Sequence, residues 1–152
     1  MPKTAVITDT SCLIALTKIE AMELLNRLYP RVVVTAEIRE EFGEPLPDWM
    51  EVKEVANKHY QELLEATLDR GEASAIALAI ELGDVLLVVD DLKGRKEAKR
   101  LGLSITGTLG VLFSAKQKGF IPALKPSLDK LHEVDFRIAP QIVEELLKLS
   151  GE

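Results

Sequence analysis

Asp9, Glu72 and the adjacent pair Asp90-Asp91 are the side chains in this sequence whose types and placement could do chemistry together. Asp9 follows the apolar run Ala5-Val6-Ile7. Asp90-Asp91 follow Val85-Leu-Leu-Val-Val89, a short unbroken run rich in β-branched residues that reads as a strand buried on both faces. Two separate strands therefore end in acid. In an open parallel sheet, ligands bind in the crevice beyond the carboxyl ends of the strands. Carboxylates gathered there repel one another unless a proton or a cation intervenes. Glu72 opens an apolar, alanine-rich stretch ending at Leu82-Gly83, where the helix dipole favours a carboxylate. One of Glu37, Glu40 and Glu41, on the segment after Arg31-Val-Val-Val34, joins the set. Several carboxylates in one crevice suit Mg²⁺ or Mn²⁺, hard cations that prefer oxygen ligands. Such a site can polarise a phosphoryl oxygen and lower the pKa of water.

Each acid also has a plainer reading. Asp9 can cap a helix starting near Thr10 and Ser11, Asp90-Asp91 can be turn and cap residues, and Glu72 can be a first-turn acid. Glu37, Glu40 and Glu41 can form a solvated helix face. Asp69, Asp84 and Asp135 read as turn or surface acids, as do Glu20, Glu44 and Asp48.

Positioning these acids requires strands alternating with helices. After the first strand, a helix carries Leu13, Ile14, Leu16 and Ile19 and continues through Met22, Leu24, Leu25 and Leu28. Arg31 to Val34 is a second strand, and Thr35 caps a helix over 36–42. Gly43 to Pro47 is a loop, and Met50 to Val55 alternates like a half-exposed edge strand. A helix runs from Asn57 through Leu68, broken at Asp69-Arg70-Gly71, and the Glu72 helix ends at Gly83. A helix over 93–101, a strand at Leu103 to Thr106, and helices over 111–118, 122–131 and 140–149 complete the chain. This alternation predicts a three-layer α/β/α fold around a central parallel sheet with right-handed crossovers. With 152 residues and no interdomain linker, one domain over 1–152 is expected.

Composition narrows the function. A net charge of −6 argues against a broad basic face, though not against a nucleic acid held locally. The single cysteine, Cys12, excludes an internal disulfide and fits a reducing cytoplasm; two distant histidines, His59 and His132, leave no ordinary zinc set. No apolar run approaches a membrane span, and the apolar segment within Met1 to Asp9 is too short to be expected as a secretion signal. A dehalogenase-type phosphatase would want an acid at Ser11, and a dinucleotide fold would want Gly-x-Gly-x-x-Gly, which Gly107-x-x-Gly110 lacks.

The segments Asp9-Thr-Ser-Cys-Leu-Ile14, Val34-Thr-Ala-Glu-Ile-Arg-Glu-Glu41-Phe42, Gly71-Glu72-Ala73, Asp90-Asp91-Leu-Lys-Gly-Arg95 and Thr106-Gly-Thr-Leu-Gly-Val-Leu112 come in an order that resembles PIN-domain proteins. Together these segments look like a prokaryotic toxin-like subgroup with Gly-Glu-Ala and Asp-Asp-x-x-x-Arg motifs. Thr35 stands where the family has Pro, Glu72 where many members have Asp, and Val88-Val89 where a Thr commonly precedes the fourth acid. The resemblance implies a PIN-like α/β/α fold and a Mg²⁺- or Mn²⁺-dependent ribonuclease, often the toxin of a toxin–antitoxin pair. By position it assigns Asp9, Glu41, Glu72 and Asp90 or Asp91 as the catalytic acids. Asp9, Glu72, Asp90 and Asp91 are the expected metal ligands, and Ser11 a supporting hydroxyl. Lys93 and Arg95 are candidate phosphate contacts. Expected partners are RNA, an antitoxin protein and a second copy of the chain; no membrane is expected. The alternative is a catalytically degenerate PIN-like module that binds protein or RNA.

Overall fold

The computed structural model describes residues 5–152 of the 152-residue chain; residues 1–4, which precede the first strand, lie outside it. Its frame is a five-stranded, all-parallel sheet in the order β3-β2-β1-β4-β5. The strands are β1 (Ala5–Thr8), β2 (Val32–Thr35), β3 (Met50–Lys53), β4 (Val85–Val88) and β5 (Ser104–Thr106). β1 and β2 are buried at every position, as apolar strands covered on both faces must be. β3 lies at an edge, as its sequence predicts, but it does not bury one face: Met50 is buried, Val52 on the same side is exposed, and Glu51 and Lys53 are intermediate.

Nine helices are found among the described residues: α1 (Thr10–Lys18), α2 (Glu23–Leu28), α3 (Ala36–Phe42), α4 (Lys58–Leu64), α5 (Arg70–Leu82), α6 (Leu92–Arg100), α7 (Thr108–Gln117), α8 (Lys125–Glu133) and α9 (Pro140–Leu149). None is long and apolar enough to cross a membrane. The expected α/β architecture with a central parallel sheet is what the chain adopts. α5 is the central covering helix. Its alanines Ala73, Ala75, Ala77 and Ala79 are buried within the chain, where small side chains permit close approach to the sheet. Each fully buried Leu or Ile of the core, such as Ile7, Leu16, Ile38 or Leu87, contributes about 1.5–3 kcal/mol of burial free energy.

Several boundaries differ from the sequence reading, α7 starting at Thr108, α8 spanning Lys125–Glu133 and β3 ending at Lys53 among them, and three more have a plain local cause. The first helix is not continuous: α1 ends at Lys18, and Glu20 adopts a left-handed φ of 57°. The Glu20 N–H bonds to the Thr17 carbonyl and the Ala21 N–H to the Leu16 carbonyl, the paired bonds of a Schellman stop. Glycine usually fills the left-handed position of that motif, so a glutamate there hides the stop. The helix from Asn57 ends at Leu64 rather than Leu68. α5 begins at Arg70, two residues before Glu72, because the Asp69 carboxylate accepts the Glu72 N–H at 2.8 Å and caps it.

The chain winds outward from β1 through β2 to β3, then returns beside β1 to lay down β4 and β5. The sheet therefore reverses its winding between β1 and β4, and the crevice beyond their carboxyl ends is where open α/β sheets take ligands.

Candidate functional site

Asp9 closes β1 and stands at that reversal. Its Oδ1 accepts the Cys12 N–H at 2.9 Å and caps α1, the plainer role foreseen for it. Its Oδ2 accepts the Asp90 N–H, also at 2.9 Å, from the end of β4. One carboxylate thus ties the two strand ends across 81 residues of sequence. Asp9 is only 6% exposed. Burial, and then the nearby Asp90 charge, push its carboxyl up from 3.8 to about 7. Burial and the Asp9 charge likewise push the Cys12 thiol up, so Cys12 is an inert core thiol.

Asp9, Glu41, Asp69 and Glu72 line one small cleft of about 60 Å³, together with Thr10, Ser11 and Gly71. Glu41 reaches it through a chain of hydroxyls. The Thr35 Oγ1 accepts the Ile38 N–H at 3.0 Å and caps α3. Its hydrogen is directed to Ser74 Oγ, 2.7 Å away, which itself donates to the Gly71 carbonyl. That bridge clamps the start of α3 onto the start of α5. The Glu41 carboxylate then lies directly on Gly71, where a Cβ would collide with it. Thr10 Oγ1 donates to Glu41 Oε1 at 2.5 Å and fixes its direction. Glu72 sits in the first turn of α5, with its carboxylate against Gly94 of α6. Burial, and then the charges of Asp69 and Asp91, push it up to about 7.

The doubled aspartate divides. Asp91 caps α6, its Oδ2 accepting the Lys93 and Gly94 N–H groups, and its charge bears on Glu72. Asp90 turns toward Thr108, accepting the backbone N–H at 2.8 Å and the Oγ1 hydroxyl at 2.6 Å. Its side chain lines the neighbouring cavity with Arg95. Thr108 stands at the first position of α7, so that helix's start holds the Asp90 carboxylate.

Of the three candidates on α3, only Glu41 lines the cleft. Glu37 is buried on another face, accepting from Gln61 Nε2 at 2.7 Å and pairing with Lys58. Glu40 pairs with Arg70 at the surface. Ser11 lines the cleft as an exposed residue. Lys93 and Arg95 part company: Arg95 donates to the Val89 carbonyl beside Asp90, whereas Lys93 lines a separate groove with Lys96, Glu97 and Arg100. Asp69, read from sequence as a turn acid, is in the cleft. Its spacing from Glu72, an acid three residues ahead of a glutamate, is a capping-box signal that could have found it.

As a donor set the cleft offers carboxylate oxygens, the chemistry of Mg²⁺ or Mn²⁺. Among the described residues no group of three acids, histidines or cysteines is gathered tightly enough to hold a metal outright. Two observations nevertheless fit a cation. Asp9 and Glu72 hold their charge there only at the cost of repulsion and burial, and a Cβ at Gly71 would fill the space the Glu41 carboxylate occupies.

A family model described as DUF3368, PIN domain, matches residues 5–152 of the chain. No curated protein matches it.

Proposed function

The chain belongs to the PIN-domain family, and on that premise we propose that it is a divalent-metal-dependent ribonuclease of the prokaryotic toxin-like subgroup. PIN domains are generally nucleases, so phosphodiester hydrolysis is the reaction class. The observation that carries the reading is the Asp9 bridge: a buried carboxylate at the sheet reversal, bonded to the end of β4 and sharing a cleft with Glu41 and Glu72.

Asp9, Glu72 and Asp91 would hold the cation, with Glu41 and Asp90 beside them. A bound Mg²⁺ or Mn²⁺ would supply charge neutralisation at the scissile phosphate and a readily deprotonated water. The chain's own residues do the positioning. Asp90 N–H fixes the direction of the Asp9 carboxylate, Thr10 orients Glu41, and the Asp69 and Asp91 caps rigidify the ends of α5 and α6 around Glu72. With carboxyls pushed to about 7, Asp9 and Glu72 exchange protons near neutral pH. Cation binding therefore releases protons and strengthens as pH rises through that value. The substrate is RNA, and the expected partners are an antitoxin protein and a second copy of the chain; the expected compartment is the cytoplasm, and one domain spans the chain.

One observation favours a degenerate binding module instead: both oxygens of Asp90 are engaged by Thr108, and no three acids are gathered as a ready ligand set among the described residues. The deciding experiment incubates purified protein with RNA and Mn²⁺. The nuclease reading expects cleavage that EDTA stops and that Asp9→Asn and Glu72→Gln abolish. Intact RNA across a panel of sequences, with wild-type Mn²⁺ binding in the same variants, sinks it.

A further inference from the structure

We propose that the cavity on the far side of Asp90 is a nucleotide subsite, holding one phosphate between Arg95 and Arg137 and its base against Phe136. It deepens the nuclease reading and rests on that reading for the identity of its ligand.

The cavity measures about 450 Å³, within the range of small-molecule pockets. It shares a wall with the carboxylate cleft: the backbone of Asp90 bonds Asp9, and its side chain lines this second cavity. A strand whose phosphate lies at the acids has its next nucleotide at this opening. In a chain of net charge −6, two arginines reach the same hollow. Arg95 is anchored by one bond, NH1 to the Val89 carbonyl at 2.9 Å, and a guanidinium carries five donors. Asp90 lies beside Arg95, but its two oxygens accept from Thr108 and no ion pair joins it to Arg95 among the described residues. Arg137 is exposed and likewise forms no ion pair there. Two planar forks that form no ion pair among the described residues are suited to a phosphate.

The remaining wall is apolar. Phe136 is half-buried at the rim, with Leu109 from α7 beside it. An aromatic face next to a phosphate fork is how single-stranded nucleic acid is gripped, because an unpaired base can stack while its backbone is held by charge. Phe136 and Arg137 owe their position to a strained turn. α8 ends at Glu133, and Asp135 just beyond it has a left-handed φ of 64°, the Phe136 N–H bonding the Leu131 carbonyl at 2.9 Å. Glycine is the relaxed choice at that position.

The test uses the full chain, isotope-labelled, in EDTA, so that neither cation nor turnover is involved. Adenosine 5′-monophosphate, ribose 5-phosphate and inorganic phosphate are titrated while amide and aromatic resonances are followed. The expected result is saturable shifts at Gly107, Thr108 and Phe136, with the nucleotide bound about tenfold more tightly than ribose 5-phosphate. Phe136→Leu removes that advantage, Phe136→Tyr keeps it, and Arg137→Gln weakens all three ligands about tenfold. The proposal is overturned by shifts clustered elsewhere, by the absence of saturation, by Arg137→Gln binding like wild type, or by equal affinity for all three ligands with no effect of Phe136→Leu. RNA cleavage alongside any of those results removes the subsite alone. Nucleotide binding here without cleavage of any RNA removes the nuclease reading and leaves the pocket.

Discussion

Replacing Asp9 by asparagine should change stability with opposite sign at two pH values. In the folded, cation-free chain the Asp9 carboxyl is pushed from 3.8 to about 7 by burial and by Asp90. The unfolded chain keeps the lower value. Between those limits the folded state holds a proton that the unfolded state has released, so stability falls as pH rises through the window. At about 1.4 kcal/mol per pH unit, the full span costs on the order of 4 kcal/mol above pH 7 and little near pH 4. Asparagine cannot ionise, so the variant escapes this cost. It keeps one acceptor for the Cys12 N–H, but its amide nitrogen then faces the Asp90 N–H, leaving a donor unpaired at about 1–3 kcal/mol. The net expectation is a gain of about 1–3 kcal/mol at pH 8 and a loss of about 1 kcal/mol near pH 4.5. Urea unfolding in EDTA at both pH values reads this directly. If Asp9→Asn destabilises the chain equally at both, Asp9 is an ordinary ionised cap and the reasoning fails.

Glu20→Gly relaxes the left-handed residue after α1 and should stabilise the chain by about 0.5–1 kcal/mol; a lower urea midpoint would contradict the Schellman assignment. Thr108→Val strips both the hydroxyl from Asp90 and the freedom to shape the start of α7, and should cost about 1–3 kcal/mol, largely restored by Thr108→Ser. Gly71→Ala places a methyl where the Glu41 carboxylate lies, so it should lower stability by about 1–3 kcal/mol and weaken Mn²⁺ binding. Loss of stability without loss of Mn²⁺ affinity would show that Glu41 takes no part in holding the cation. Apparent Mn²⁺ affinity of the wild type should rise from about pH 6 to 8 with proton uptake into the buffer, and a flat profile would mean Asp9 and Glu72 are already ionised.

How much of this was visible in the sequence follows from the range of the interactions involved. Strands such as Val32–Thr35 and Val85–Val88 were legible because burial on both faces leaves an unbroken apolar run. Asp9 and Asp90 were legible as acids at strand ends because chain order alone places them at one rim of a parallel sheet. The break after α1 was hidden because its left-handed residue is glutamate. The division of Asp90 from Asp91 was hidden because it depends on Thr108, 18 residues away, reaching back to one of them. The parting of Lys93 and Arg95 was available: residues two apart on a helix do not share a face. That Gly71 seats the Glu41 carboxylate could not be read at all, since what a glycine makes room for is a contact between distant segments.

The claim beneath all of this is that Asp9 and Glu72 meet a cation at the rim between β1 and β4. Anomalous diffraction from a crystal soaked in Mn²⁺ tests it most directly. The account predicts a manganese peak within ligand distance of Asp9 and Glu72, lost in Asp9→Asn crystals. A peak bound only elsewhere on the chain, or one that survives the substitution unchanged, would contradict it.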